Sequence, residues 1–150
     1  ESTTAMFGGN SNWRGPLWFP VNYLVVGALE RYDRFFRDSL KVEYPARSGQ
    51  KLSLGEIAQD LRGRLISIFL VGPDGRRPSF GGTERLQTDP AWKDNIFFNE
   101  YFHGDNGAGL GAAHQTGWTG VVADLIRRQH GDVGAVGDIL RMVVGRRAEK

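Results

Sequence analysis

The chain contains no cysteine. That excludes disulfide staples, thiolate metal sites and a cysteine nucleophile. It has no apolar run near the roughly 18 residues that cross a bilayer. The first ten residues, ESTTAMFGGN, are polar and carry no secretory signal. They also lack an initiator methionine and read as the middle of something longer, which fits a processed or excised fragment. Charge of one sign is missing too: 19 Lys and Arg against 17 Asp and Glu leave a net charge of +2, too little for a nucleic-acid footprint. The arginine pairs at 76–77, 127–128 and 146–147 are expected on solvated faces and ends. The expectation is a cytoplasmic protein with neither nucleic acid nor membrane among its partners.

Familiar reaction centres are also lacking. His103 and His114 stand apart across glycines, and zinc would need at least a third ligand at suitable spacing. No metal and no organic cofactor is therefore expected. Asp105-Asn106-Gly107 lacks the acidic ligands of a calcium loop and reads as a turn. Gly107 to Gly111 has neither the strand–loop–helix context nor the Lys-Ser/Thr ending of a phosphate loop. No nucleophile elbow supports Ser-His-Asp catalysis.

Glycine is abundant: 21 of 150 residues, about twice the usual share. The glycines cluster at Gly8-Gly9, Gly81-Gly82 and Gly104 to Gly111, as in shaped loops. With 9 Phe, 4 Tyr and 4 Trp, the chain has the makings of one packed domain.

Helical periodicity is clear over Val21 to Phe36, with Pro20 suited to the first turn. Ser53-Leu54-Gly55-Glu56 is a capping box that opens a second helix running to about Leu70, where Gly72-Pro73 stops it. Leu40 to Tyr44 could be extended. Gly72 to Asn95 reads as a long irregular loop, of a length that usually serves or covers a site. Ile96 to Phe102 is read as a brief strand or extended segment. A third helix is marked by Trp118, Val121, Val122, Leu125 and Ile126, ending near His130. A fourth is marked by Val133, Val136, Ile139, Leu140, Val143 and Val144. The fold class is all-α, about four helices joined by long glycine-rich loops. Bundle connections are shorter, roughly 2–8 residues, so the pattern suits a piece of a larger helical array with a ligand face.

Two segments carry candidate chemistry. Phe97 to Gly120, FFNEYFHGDNGAGLGAAHQTGWTG, mixes aromatic faces, Glu100, Asp105, two histidines and six glycines. That is the equipment for a polar, ring-shaped ligand such as a sugar. Glu100 lies between Phe97, Phe98, Tyr101 and Phe102, where it can serve as a general acid or base or as a structural carboxylate paired with Arg or Lys. Asn12-Trp13-Arg14-Gly15-Pro16-Leu17-Trp18 offers a guanidinium fork between two flat indoles. It could equally be a structural arginine stacked in an apolar loop.

Together, NWRGPLWFPVNYL and NEYFHGDNGAGLGAAHQTGWTGVV resemble the C-terminal part of glycoside hydrolase family 63, the family of processing α-glucosidases, with mannosylglycerate hydrolases close by. The blocks match the family's WRGP-hydrophobic-W and E-x-Y/F…G-x-G-x-G…TGW segments, in order. The resemblance implies that residues 1–150 are a C-terminal fragment of an (α/α)6 catalytic domain, with a sugar pocket in the loops at one end. It implies inverting hydrolysis of α-glucosides or related sugars, with Glu100 as general base. By the same resemblance Trp13, Arg14, Trp18, His114, Gln115 and Trp118 line the sugar subsite. The family's general acid, an aspartate far upstream of WRGP, is missing. The chain alone is therefore expected to be nearly inactive, since general-acid assistance contributes about 10²–10⁴-fold. Its expected partners are an oligosaccharide or glycoside substrate, the N-terminal remainder of the domain, and other copies through exposed apolar faces. Two alternatives stay open. One is a non-catalytic carbohydrate-binding or scaffold module. The other is a lyase or trehalase-like enzyme on a related α/α barrel.

Overall fold

The computed structural model describes residues 15–130. The expected fourth helix at 133–144 lies outside the described residues, as do Trp13 and Arg14. Within them the chain is mostly helical, which agrees with an all-α class.

Helix α1 spans Phe19–Phe36, with Pro20 in its first turn. A short hairpin follows, β1 (Lys41–Glu43) pairing antiparallel with β2 (Lys51–Ser53). The extended stretch expected at 40–44 is thus found at 41–43, with Tyr44 already in a bend, and its partner strand was not foreseen. Helix α2 spans Leu54–Ser67, ending three residues before the expected Leu70. Its capping box is complete: the Glu56 amide donates to Ser53 Oγ at 3.2 Å, and the Ser53 amide to Glu56 Oε2 at 2.7 Å. The stretch read as one irregular loop holds a 3-10 turn at Pro78–Phe80 and a short helix α3 (Glu84–Thr88). Strands β3 (Tyr101–Phe102) and β4 (Gly109–Leu110) form a second small antiparallel ladder. Helix α4 (Val122–Gln129) closes the described region, entered through a 3-10 turn at Thr119–Val121.

The core lies among α1, α2 and α4 and reaches into the strand region. Phe19, Val26, Phe102 and Leu125 are at most 1% exposed. The Phe19, Phe69 and Phe102 rings meet edge to face at 5.2–5.5 Å between centroids. Burying one such side chain contributes roughly 1.5–3 kcal/mol, so this aromatic knot ties β3 firmly to the helices.

A second tie is ionic. Glu30 on α1 accepts from Arg62 of α2 at 2.6 Å and from Arg128 of α4 at 3.1 Å. Arg128 also reaches Asp124 at 2.6 Å, and its guanidinium donates to the Tyr23 hydroxyl at 2.7 Å. Tyr23 in turn donates to Asp124 at 2.8 Å. Arg127 adds a 2.9 Å contact to Asp124. This corrects the expectation of a solvated 127–128 pair: the Arg128 side chain is 8% exposed, because acidic groups on two helices are aimed at it. Arg77 departs likewise, donating to the Phe69 carbonyl and lying 5.3 Å from the Phe80 ring centre.

Helices α1 and α2 share one further bond. Asp33 Oδ1 accepts the Gly55 amide at 2.8 Å, so a side chain of α1 occupies a donor at the start of α2. A Cβ on residue 55 would stand 2.6 Å from Asp33 Oδ2, so glycine is what lets the two approach.

Candidate functional site

The site is built on β3, at the edge of the helical layer. Leu17 and Phe102 exchange both backbone hydrogen bonds, at 2.8 and 2.9 Å. The chain entering α1 is thereby stitched to the strand that follows Glu100. The two segments singled out in the sequence are neighbours in space.

Trp18 is 8% exposed and sits between aromatic partners. Its ring centre lies 4.8 Å from that of Tyr101 and 6.4 Å from that of Trp118, the latter edge to face. Such pairs contribute about 0.5–1.5 kcal/mol beyond area burial, so the three rings pack as one cluster that includes a residue of β3.

Glu100 is held at three points. Its amide donates to the Ala112 carbonyl at 2.8 Å, extending the β3–β4 ladder. Its carboxylate Oε2 accepts the Ala112 amide at 3.2 Å. Its own carbonyl accepts the Trp118 indole N–H at 3.0 Å. The adjacent Asn99 carbonyl accepts the hydroxyl of Thr119, a residue with no exposed surface. The Gln115 amide donates to the Phe98 carbonyl at 2.7 Å, while the Gln115 carbonyl takes the amides of Trp118 and Thr119. Segment 98–100 is thus gripped by segment 112–119 along its whole length.

Glycine is required at the closest approach. Gly111 has φ +69°, and a Cβ there would lie 2.7 Å from both Glu100 Oε2 and Tyr101 Cε1. The first contact would displace the carboxylate and the second the Tyr101 ring, so the bare backbone lets the 111–117 loop close over them.

His114 is exposed, has φ +64° and lies 5.1 Å, centre to centre, from the Phe97 ring. Phe97 stacks on Trp92 at 6.4 Å. The Gln115 side chain belongs to an exposed residue, while Trp118 is half-buried. Of the sequence-derived site residues, Trp18, Glu100 and Trp118 therefore form one contiguous cluster. His114 and Gln115 stand on the exposed rim of its loop.

Asp105 forms part of a separate turn. Its amide donates to His103 Nδ1 at 3.2 Å, and the Gly107 amide donates to the His103 carbonyl. That turn walls a cleft of about 390 Å³ between α1 and α2, which Asn22, Arg64 and His103 also line. Glu100 does not line it. Among the described residues no group of three or more His, Cys, Asp or Glu could hold a metal ion, and no helix is long and apolar enough to cross a membrane.

Chemically, the arrangement presents a half-buried carboxylate with one oxygen fixed by an amide. Its other oxygen has no hydrogen bond among the described residues. Such a group can accept a proton from a water placed against it. Sequence reasoning singled out Glu100 but not Asn99, Ala112 and Thr119, through which its segment is held. The local hint was the glycine at 111; the contacts from Ala112 and from the Thr119 hydroxyl cross long separations.

No family model matches the chain, and no solved structure matches it. The chain is 47% identical over 128 residues to an uncharacterized protein of Saccharomyces cerevisiae (strain ATCC 204508 / S288c), an alignment covering 84% of the chain. It is 29% identical over 124 residues, 81% of its length, to a mannosyl-oligosaccharide glucosidase of the same yeast. The chain spans about 12% of the length of these curated relatives. The second likeness is distant, and it points toward the glycosidases.

Proposed function

We propose that the chain is the base-bearing part of an inverting glycoside hydrolase of the family 63 type, acting on α-glucosides within a longer protein. The observation that carries the reading is the grip on Glu100, whose carboxylate accepts the Ala112 amide and whose carbonyl accepts the indole N–H of Trp118, a member of the Trp18–Tyr101–Trp118 ring cluster. The distant likeness to a glucosidase supports it.

In this reading Glu100 takes a proton from a water. The oxygen of that water attacks the anomeric carbon as the bond to the departing oxygen breaks on the opposite face. A carboxylic acid outside this chain protonates the departing oxygen. The two carboxyl groups of such a pair stand about 6.5–9.5 Å apart to admit the water. Arg14 and Trp13 contact the sugar with Trp18 and Trp118 as the pocket floor, and His114 and Gln115 contact it from the rim. The outward face of α1 packs against the remainder of the longer protein, and in the isolated chain it drives self-association.

The test is Glu100→Gln in the full-length protein, with a glucosylated mannosyl-oligosaccharide as probe and released glucose as readout. The rate is expected to fall by about 10²–10⁴-fold, and proton NMR of early product should show β-glucose from an α-linked substrate. Hydrolysis at the wild-type rate by Glu100→Gln would sink the assignment.

A further inference from the structure

We infer that Thr119 is a positioning residue for Glu100, with Trp118 acting alongside it. The inference rests on the reading of Glu100 as the base and says what sets that base in place. Thr119 has no exposed surface, yet it carries a hydroxyl, and the hydroxyl donates to the Asn99 carbonyl, one residue before Glu100. Packing alone would be served as well by valine, which has the same shape. The hydroxyl answers a backbone acceptor that the two-residue strand β3 leaves outside its ladder. Trp118 does the same one residue on, its indole N–H reaching the Glu100 carbonyl at 3.0 Å.

Both donors stand at the entrance to α4, and α4 is itself fixed. Leu125 is fully buried, and Asp124 and Arg128 join the ionic cluster with Tyr23 and Glu30 of α1. The placement of the carboxylate is thus referred through Thr119 to a helix that cannot shift without breaking that cluster. A base must meet its water within hydrogen-bond reach, and a misplacement near 1 Å costs on the order of 10²-fold in rate. Thr119 touches neither water nor sugar in this scheme. It acts through the backbone of residues 99 and 100.

The experiment compares Thr119→Val, Thr119→Ser and Glu100→Gln in the full-length protein, on the same glucosylated oligosaccharide, with deuterium exchange of peptides spanning 97–102 followed by mass spectrometry. Thr119→Val should lower kcat by about 10- to 100-fold with KM little changed. Serine should restore most of the rate, because it restores the donor. The 97–102 peptide should exchange faster in the valine variant and return to normal in the serine variant. Wild-type kcat and exchange in Thr119→Val, or no rescue by serine, overturns the inference. If Glu100→Gln keeps full activity, the base assignment fails instead, and the exchange comparison still decides whether Thr119 anchors the segment. Should the valine variant not fold, Trp118→Phe keeps an aromatic six-membered ring and removes the N–H, and the same slowed kcat and faster exchange are expected of it.

Discussion

The two long faces of α1 differ in kind. The inward face carries Phe19, Tyr23, Val26, Glu30 and Asp33. Each is buried or half-buried, and each polar member has a bonded partner on another element. The outward face carries Val21, Leu24, Val25, Tyr32 and Phe35, which are 44–80% exposed. At about 100° per residue these five fall on one stripe. A helix that is apolar on opposite sides belongs between two layers, and the described residues supply one of them. The inward face shows what fixes the site. The outward face shows an apolar stripe that the described residues leave uncovered.

The sharpest way to break the comparison is Phe19→Ala on the inward side. Removing a fully buried ring at the centre of the aromatic knot should cost about 3–5 kcal/mol, seen as a lower urea midpoint by tryptophan fluorescence. A loss under about 1 kcal/mol would show that the knot is not the core. A middle-sized effect should come from acid. Burial pushes the Asp124 carboxyl up, but the hydrogen bonds from Tyr23 and Arg127 and the charges of Arg128 and Arg127 outweigh it and leave it below its ordinary 3.8. A depressed folded value means the stability is full above the ordinary value and is lost as pH falls through the folded one. Wild type should therefore lose stability on acidification more steeply than Asp124→Asn, measured by urea titrations at stepped pH. Equal slopes would remove Asp124 from the account. The smallest effect is expected from Phe35→Ser on the outward face, 80% exposed at present. Unfolding should change by no more than about 0.5 kcal/mol, while sedimentation should shift toward monomer. A large destabilisation would mean that the two faces are not distinct.

Local signals made α1 and the start of α2 legible: apolar spacing in one case, and a serine three residues before a glutamate in the other. The long loop hid α3 because five helical residues among Gly, Pro and Thr leave no periodic trace. The partner strand Lys51–Ser53 was invisible because three residues have too little pattern to read. Arg128 was misjudged for a different reason. Its neighbour Asp124 was in view at helical spacing, but Glu30 and Tyr23 come from α1, and nothing local says that they converge. Glu100 stood out by residue type and company. Its anchors could not, since Ala112 acts through its backbone amide and the Thr119 hydroxyl meets a backbone carbonyl 20 residues away, a convergence that nothing local marks.

The Asp33 carboxylate seated on the Gly55 amide has a consequence for assembly. Helix α2 can begin by itself, because Ser53 and Glu56 close its first turn from within. The Gly55 donor is satisfied only once α1 arrives. The two neighbouring amides thus report different events to solvent: Glu56 opens when α2 frays, Gly55 when the two helices part. Residue 55 is a built-in gauge of whether the α1–α2 pair behaves as one cooperative unit.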